Sequence, residues 1–195
     1  MIRRAAACGF LLLVGGCASL PPPVDAGSWA GRRAELQALR VFTLDGRVAV
    51  ATADQGFSGG LAWRQDGAQA QINLRGPLGA TALSIRLDGT QITVTDSNGT
   101  SITGDAARDY MASQIGAPLP VSELRYWLVG VPAPMLPFRE TIGADGRLAA
   151  LEQAGWQLRY SRYQTVGGLA LPVRIEVESA STRLRLVVSN WRLPP

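Results

Sequence analysis

Residues 56–74 read GFSGGLAWRQDGAQAQINL, and their period decides the fold. Phe57, Gly59, Leu61 and Trp63 alternate with Ser58, Gly60, Ala62 and Arg64; Asp66-Gly67 interrupts, and Ile72 and Leu74 resume the alternation. A period of two marks strands with one buried and one wet face. Asp-Gly between two such runs favours a tight hairpin. Working outward, Phe42, Leu44, Val48 and Val50 share one parity upstream, and Leu83/Ile85/Leu87 and Ile92/Val94 continue it downstream. Near the end, Trp156/Leu158/Tyr160, Val173/Ile175/Val177 and Leu184/Leu186/Val188 repeat the pattern. Asp88-Gly89, Asn98-Gly99, Asp145-Gly146 and Gly167-Gly168 supply further reversals, whereas Asp45-Gly46 falls inside a strand pattern and reads as a bulge.

Helical spacing appears in three places. Trp29, Leu36 and Leu39 sit among Arg32, Arg33 and Glu35 over residues 29–40, with Ser28 as a possible N-cap. Gly104-Asp105 opens a second helix carrying Ala107, Tyr110 and Met111, stopped by Gly116 and Pro118. A third, short helix spans Ser122 to Val129 with Leu124, Trp127 and Leu128, before a proline-rich connection from Gly130 to Pro137. The expected class is therefore α+β: a long antiparallel sheet curling around a few helices. Periodicity leaves open whether the space between is packed solid or hollow.

Composition removes most chemistries. The 195 residues include no histidine, and all 19 cationic side chains are arginine. Ser-His-Asp and Cys-His catalysis, a Walker lysine, a pyridoxal Schiff base and a histidine-ligated metal are excluded within this chain. The expectation is no enzyme, no metal and no cofactor. Asp105 with Asp109, and Glu176 with Glu178, are pairs that acid–base work could use. A helix cap and a solvated strand face are the better reading, since no other polar group converges on them. Arg183 and Arg185 likewise read as a wet face rather than a nucleic-acid stripe.

The N-terminus reads as an address. Met1-Ile-Arg-Arg4 is cationic, Ala5 to Val14 is apolar but too short to span ~30 Å of hydrocarbon, and Gly15-Gly16 precede Cys17. Residues 1–16 are expected to be a signal peptide. An ordinary secretory signal with a chance cysteine is the other reading. Residues 17–28 then form a tether whose Pro21-Pro22-Pro23 favours extended chain reaching at most roughly 37 Å to Trp29. Residues 29–195 make one domain. Without residues 1–16, 17 arginines face 15 acids, so much of the basic balance belongs to the leader.

One turn is unusual. Arg75-Gly76-Pro77-Leu78-Gly79-Ala80 lies between two strands, where a polar tip is expected. Pro77 suits the second position of a turn and Gly79 the fourth, which would push Leu78 outward. A leucine folded back on the sheet is equally compatible.

These stretches together resemble the LolB family of outer-membrane lipoprotein receptors. Val14-Gly15-Gly16-Cys17 is similar to a lipobox, and Ala18 after it lacks the aspartate that retains enterobacterial lipoproteins in the inner membrane. Leu44-Asp-Gly-Arg-Val-Ala-Val50, Gly56-Phe-Ser-Gly59, Leu61-Ala-Trp63 and Gly76-Pro-Leu-Gly79 follow in the family's order. Trp156-x-Leu-x-Tyr160, Leu171-Pro172 and Leu184-x-Leu-x-Val188-x-x-Trp191 continue the resemblance over nearly the whole chain. Many relatives carry Trp at the position of Phe57.

The resemblance implies a half-open antiparallel β-barrel of roughly ten or eleven strands, with helices covering a hydrophobic cavity. It implies lipidation at Cys17 and anchoring to the outer membrane, facing the periplasm of a Gram-negative bacterium. The implied task is to accept lipoprotein acyl chains from a LolA-like periplasmic carrier and insert them into the inner leaflet. Pro77, Leu78 and Gly79 match the family's membrane-insertion loop. Trp63, Leu74, Leu83, Ile85, Trp127 and Leu186 are the candidate cavity lining, although plain core packing explains each equally well. The partners expected are the carrier, the cargo chains and the leaflet, with no nucleic acid and a monomeric receptor. An outer-membrane assembly lipoprotein using the same body as a protein-docking scaffold is the alternative.

Overall fold

The computed structural model describes residues 27–54, 56–76, 81–115 and 120–194. The signal sequence, Cys17, most of the tether and the Pro77–Gly79 loop lie outside the described residues.

In chain order the elements are α1 (Trp29–Ala38), β1 (Val41–Ala51), β2 (Gly56–Asp66), β3 (Gln69–Arg75), β4 (Thr81–Asp88), β5 (Gln91–Asp96) and β6 (Ser101–Thr103). Then come α2 (Gly104–Ile115), α3 (Leu124–Leu128), β7 (Phe138–Ile142), β8 (Leu148–Gln153), β9 (Trp156–Val166), β10 (Leu169–Glu178) and β11 (Arg183–Arg192). All eleven strands join one open antiparallel sheet in the order β6-β5-β4-β3-β2-β1-β11-β10-β9-β8-β7. Consecutive strands are neighbours except β6 and β7, which form the two edges, and β1 pairs with β11, bringing the two halves of the chain together at the middle.

The alternation in the sequence becomes the inner face. Phe42, Leu44 and Val48 of β1 are buried, as are Leu61 and Trp63 of β2, Ile72 of β3, and Ile85 and Leu87 of β4. On β9, β10 and β11 the buried positions are Trp156, Leu158 and Tyr160, then Leu171, Ile175 and Val177, then Leu186, Val188 and Trp191. Phe42 and Trp191 meet with ring centroids 5.5 Å apart, tilted by 59°. The outer face is wet, and its registered pairs Glu176–Arg185 (3.1 Å) and Glu178–Arg183 (3.0 Å) are cross-strand ion pairs. Glu176 and Glu178, weighed from sequence as an acid–base pair, and Arg183 and Arg185, weighed as a nucleic-acid stripe, are thus one another's partners.

Two glycines mark close approaches between strands. The β1–β11 register shifts at Asp45/Gly46, where Ser189 is the extra residue and its Oγ donates to the Asp45 carbonyl at 3.0 Å. A Cβ at Gly46 would stand 2.5 Å from the Val187 carbonyl oxygen, so the bulge requires a bare backbone there. At Gly59 a Cβ would meet the Arg75 carbonyl oxygen at 2.1 Å, with the Phe57 ring already covering the spot.

Helix α1 is capped by Ser28, whose Oγ accepts from the Gly31 N–H at 3.2 Å. It docks by polar contacts on the β7–β8 hairpin: Trp29 Nε1 (3.0 Å) and Arg33 Nη1 (2.8 Å) both donate to Glu140 Oε1, and Arg32 Nη2 reaches the Gly146 carbonyl at 2.7 Å. Helix α2 covers the β5–β6 edge, burying Ala107 and Met111. After α3, the chain runs on through buried Val129, Val131 and Ala133. Gln153, inward on β8, holds this stretch: its Oε1 accepts from Trp127 Nε1 (2.8 Å) and the Ala133 N–H (2.9 Å), and its Nε2 donates to the Ala133 carbonyl (2.8 Å).

Three differences from the periodic reading have physical causes. Strands β7 and β8 escape it because β7 is an edge with little buried on either face, and because β8 buries Leu148, Leu151 and the polar Gln153 out of strict alternation. A register shift at Thr141/Ile142 accompanies that break. Helix α3 is shorter than residues 122–129, with Glu123 at its N-cap position, making no side-chain capping bond, and Val129 at its C-cap. Strand β6 has only three residues.

Candidate functional site

The registers give the sheet two distinct ends. At one lie the turns at Gly67, Gly89, Gly146 and Gly167-Gly168 together with α1 and the start of β1; at the other lie the β3–β4 connection and the β10–β11 turn. Helices α1 and α2 and several hollows lie at the first end, which is the mouth, while a further hollow of about 410 Å³ lined by Phe138, Glu152, Gly155 and Trp156 lies at the other.

One hollow at the mouth is an apolar groove of about 420 Å³ between the β4–β5 hairpin and α2. Leu87, Ile92, Met111, Ala112, Pro120 and Val121 form its walls, with Arg108 and Asp109 at its margin. Its volume is in the range of small-ligand pockets. Arg108 is held away from the apolar wall by Asp105 (2.7 Å) and the Thr90 carbonyl. A second hollow of about 270 Å³ adjoins it across Val121 and Ser122, reaching Tyr126, Ala133 and Met135. Met135 is 89% exposed at its rim. A third, of about 300 Å³, lies between α1 and β9–β10, lined by Trp29, Leu36, Tyr163 and Leu169.

The six lining candidates occupy other ground. Trp63 is buried on β2, its Nε1 donating to Gln65 Oε1 at 3.0 Å. Ile85 is buried opposite Ile72, and Leu186 opposite both Val48 and Ile175. Trp127 is buried against Gln153. Leu74 and Leu83 are half-buried register partners beside the β3–β4 connection, at the end opposite the mouth. All six belong to or pack on the continuous core, and none lines the 420 Å³ groove. The groove residues Leu87, Ile92 and Met111 carried a core-parity signal only; Pro120 and Val121 carried none.

Two phenols, Tyr160 buried and Tyr163 half-buried, lie beneath α1 and α3. Tyr160 donates to the Trp127 carbonyl at 3.1 Å, and Tyr163 to the Leu148 carbonyl at 2.6 Å. Burial pushes the Tyr160 hydroxyl well above the usual phenol range, with neighbouring Tyr163 adding to the rise. Tyr163 is also raised, first by burial and then by the Asp145 charge, against the lowering effect of Arg147. Both are fixed hydrogen-bond donors, not acid–base groups.

The open sheet of eleven antiparallel strands with its few helices is a fold shared with solved structures. A LolA superfamily protein from Nitrosomonas europaea superposes with a TM-score of 0.54 at 13% identity, over 86% of this chain and 94% of that one. A domain from Vibrio parahaemolyticus, titled as outer-membrane lipoprotein-sorting, superposes with a TM-score of 0.58 at 9% identity, over 84% and 90%. Sequence narrows the class. The family model "Outer membrane lipoprotein LolB" matches residues 40–191. The outer-membrane lipoprotein LolB of Nitrosococcus oceani is 34% identical over 188 residues, covering 94% of each chain. Its counterpart in Halorhodospira halophila is 35% identical over 182 residues, covering 92% of this chain and 90% of that one. The chain belongs to the LolB family, among the outer-membrane lipoproteins that serve lipoprotein localisation.

Proposed function

We propose that the chain accepts the acyl chains of lipoproteins from a LolA-like periplasmic carrier and releases them into the inner leaflet of the outer membrane. The observation that carries this reading is the LolB family match over residues 40–191 of an open, mouthed sheet. Each methylene exposed to water costs about 0.8 kcal/mol, so acyl chains need an apolar host at every stage of the crossing. The groove beneath α2 is a suitable point of entry. Transfer then runs downhill if this host binds more tightly than the carrier and the bilayer more tightly still. No covalent step, metal or nucleotide is required, and a single copy suffices.

In this reading Cys17 carries the lipid anchor after removal of residues 1–16, and Pro77, Leu78 and Gly79 form the loop that meets the leaflet. Trp63, Leu74, Leu83, Ile85, Trp127 and Leu186 come to line acyl chains only if the core opens beyond the groove. A docking scaffold would instead keep that core closed throughout its work. Reconstitution separates the two: carrier loaded with a labelled lipoprotein is mixed with liposomes bearing the acylated chain, wild type or Leu78→Glu. Wild type is expected to accept and insert cargo, and the variant to accept it but insert at least ten-fold more slowly. Failure of wild type to take cargo would falsify the receptor reading; equal insertion by both removes the role of Leu78.

A further inference from the structure

The outer face of the sheet carries a cationic row that no carboxylate balances. Across six adjacent strands, Arg75 registers with Gly60, Gly60 with Arg47, Arg47 with Val187, Val187 with Arg174, and Arg174 with Arg162. Five inter-strand steps at ~4.8 Å each make the row roughly 24 Å along the curved sheet. Arg47, Arg75 and Arg162 are exposed and Arg174 is half-buried. Five other sheet arginines are paired, Arg139 with Glu152, Arg159 and Arg183 with Glu178, Arg185 with Glu176 and Arg192 with Asp45, whereas Arg64 on β2 and Arg86 on β4, outside the row, have no ion pair among the described residues. Among the described residues none of the four row arginines has an ion pair.

That arrangement is costly in isolation. Like charges directly opposite one another in a sheet are destabilising, and Arg174 faces Arg162. The Arg174 Nε is moreover buried without a hydrogen-bond partner. Gly60 and Val187, the residues between the arginines, offer no negative charge. An external anionic surface would relieve the repulsion. The row also starts at Arg75, the last residue of β3 and the threshold of the loop containing Leu78.

We propose that this row is a membrane-facing surface, taking the phosphate groups of anionic phospholipids along the outer face of β3, β2, β1, β11, β10 and β9. It would lay the body on the leaflet that the loop enters and so fix the loop's approach. The inference requires only outer-membrane attachment; it stands or falls separately from cargo transfer.

The test places a fluorophore on an Ala49→Cys variant of the acylated chain, Ala49 being exposed on the outer side of β1. Energy transfer to a headgroup-labelled lipid is measured in liposomes of phosphatidylcholine alone or with phosphatidylglycerol. Cargo acceptance from the carrier is followed in parallel. Close approach is expected only with phosphatidylglycerol, and is lost at about 1 M salt, where the Debye length is ~3 Å. Each arginine near an anionic surface is worth about five-fold, so Arg47→Gln/Arg75→Gln/Arg162→Gln should lower the apposed fraction on the order of 100-fold. An unchanged circular dichroism spectrum confirms that the triple variant folds. Equal energy transfer on both lipids, or from the triple variant, overturns the proposal. A triple variant that keeps its membrane approach but accepts cargo more slowly assigns the row to an acidic protein surface instead.

Discussion

At the residue scale, Gln153 shows how much one polar side chain can organise. It satisfies Trp127, both backbone groups of Ala133 and, at 3.2 Å, the Leu136 carbonyl, which fixes the buried path between α3 and β7. Replacing it with Met keeps the volume but strands a buried indole N–H, a backbone N–H and two carbonyls. Each orphaned group costs about 1–3 kcal/mol, so Gln153→Met, stranding four, should lose about 4 kcal/mol or more in urea unfolding at constant m. A loss below ~1 kcal/mol would show that water substitutes for the amide. Nothing in the sequence announces this role, because a glutamine at an inward strand position breaks the apolar alternation. The buried tyrosines give a pH signature. Their folded pKa values lie above the unfolded value near 10, so the unfolded chain binds fewer protons once pH exceeds about 10. Stability contributed by the neutral phenols is therefore fully present below pH ~10 and declines above it, through the raised folded values. With no histidine in the chain, stability should change little between pH 6 and 9. A denaturation midpoint that moves steeply near neutrality, or holds steady past pH 11, contradicts this.

At the element scale, the strands of the meander are legible because each keeps one parity against a common core, from Phe42 through Val94 and again from Trp156 to Val188. Edge strands are not, since β6 and β7 bury too little to leave a pattern. The groove escaped detection for a related reason. Its walls come from a hairpin, a helix and the segment at Pro120 and Val121, and only tertiary assembly brings those together. Helix α2 offers the clean intervention. Ala112 lines the groove and is half-buried, so Ala112→Trp fills space without displacing Ala107 or Met111 from the core. The expected result is acyl-chain uptake reduced at least ten-fold, measured with a fluorescent fatty acid, and an unfolding free energy changed by less than about 1 kcal/mol. Undiminished uptake by a folded variant would move the entry point elsewhere, the hollow beneath α1 being next.

At the scale of the whole molecule, the N-terminal segment and the β3–β4 connection leave the body at opposite ends. Gly27, where the described chain begins, accepts from the same Arg32 guanidinium that binds the Gly146 carbonyl, at the mouth. The β3–β4 connection leaves from Arg75 and Thr81 at the far end, and β3 alone, with seven residues, rises ~23 Å between them. If Cys17 is lipidated, both Cys17 and Leu78 must reach one leaflet. The ten peptide steps from Cys17 to Gly27 extend to at most ~33–36 Å, enough to span the body with little to spare. The proline run, a composition that favours extended chain, then has a measurable purpose. Deleting residues 20–24 removes about 17 Å of reach and leaves α1 and its Ser28 cap untouched. The shortened chain is expected to accept cargo from the carrier at the wild-type rate, because the mouth is unchanged, and to insert it at least ten-fold more slowly, because loop and anchor compete for the bilayer. Replacing the deleted residues with five of Gly and Ser should restore reach and most of the insertion rate. Insertion at the wild-type rate by the shortened chain would mean that the loop does not contact the leaflet holding its own anchor, and that release operates on a neighbouring membrane surface.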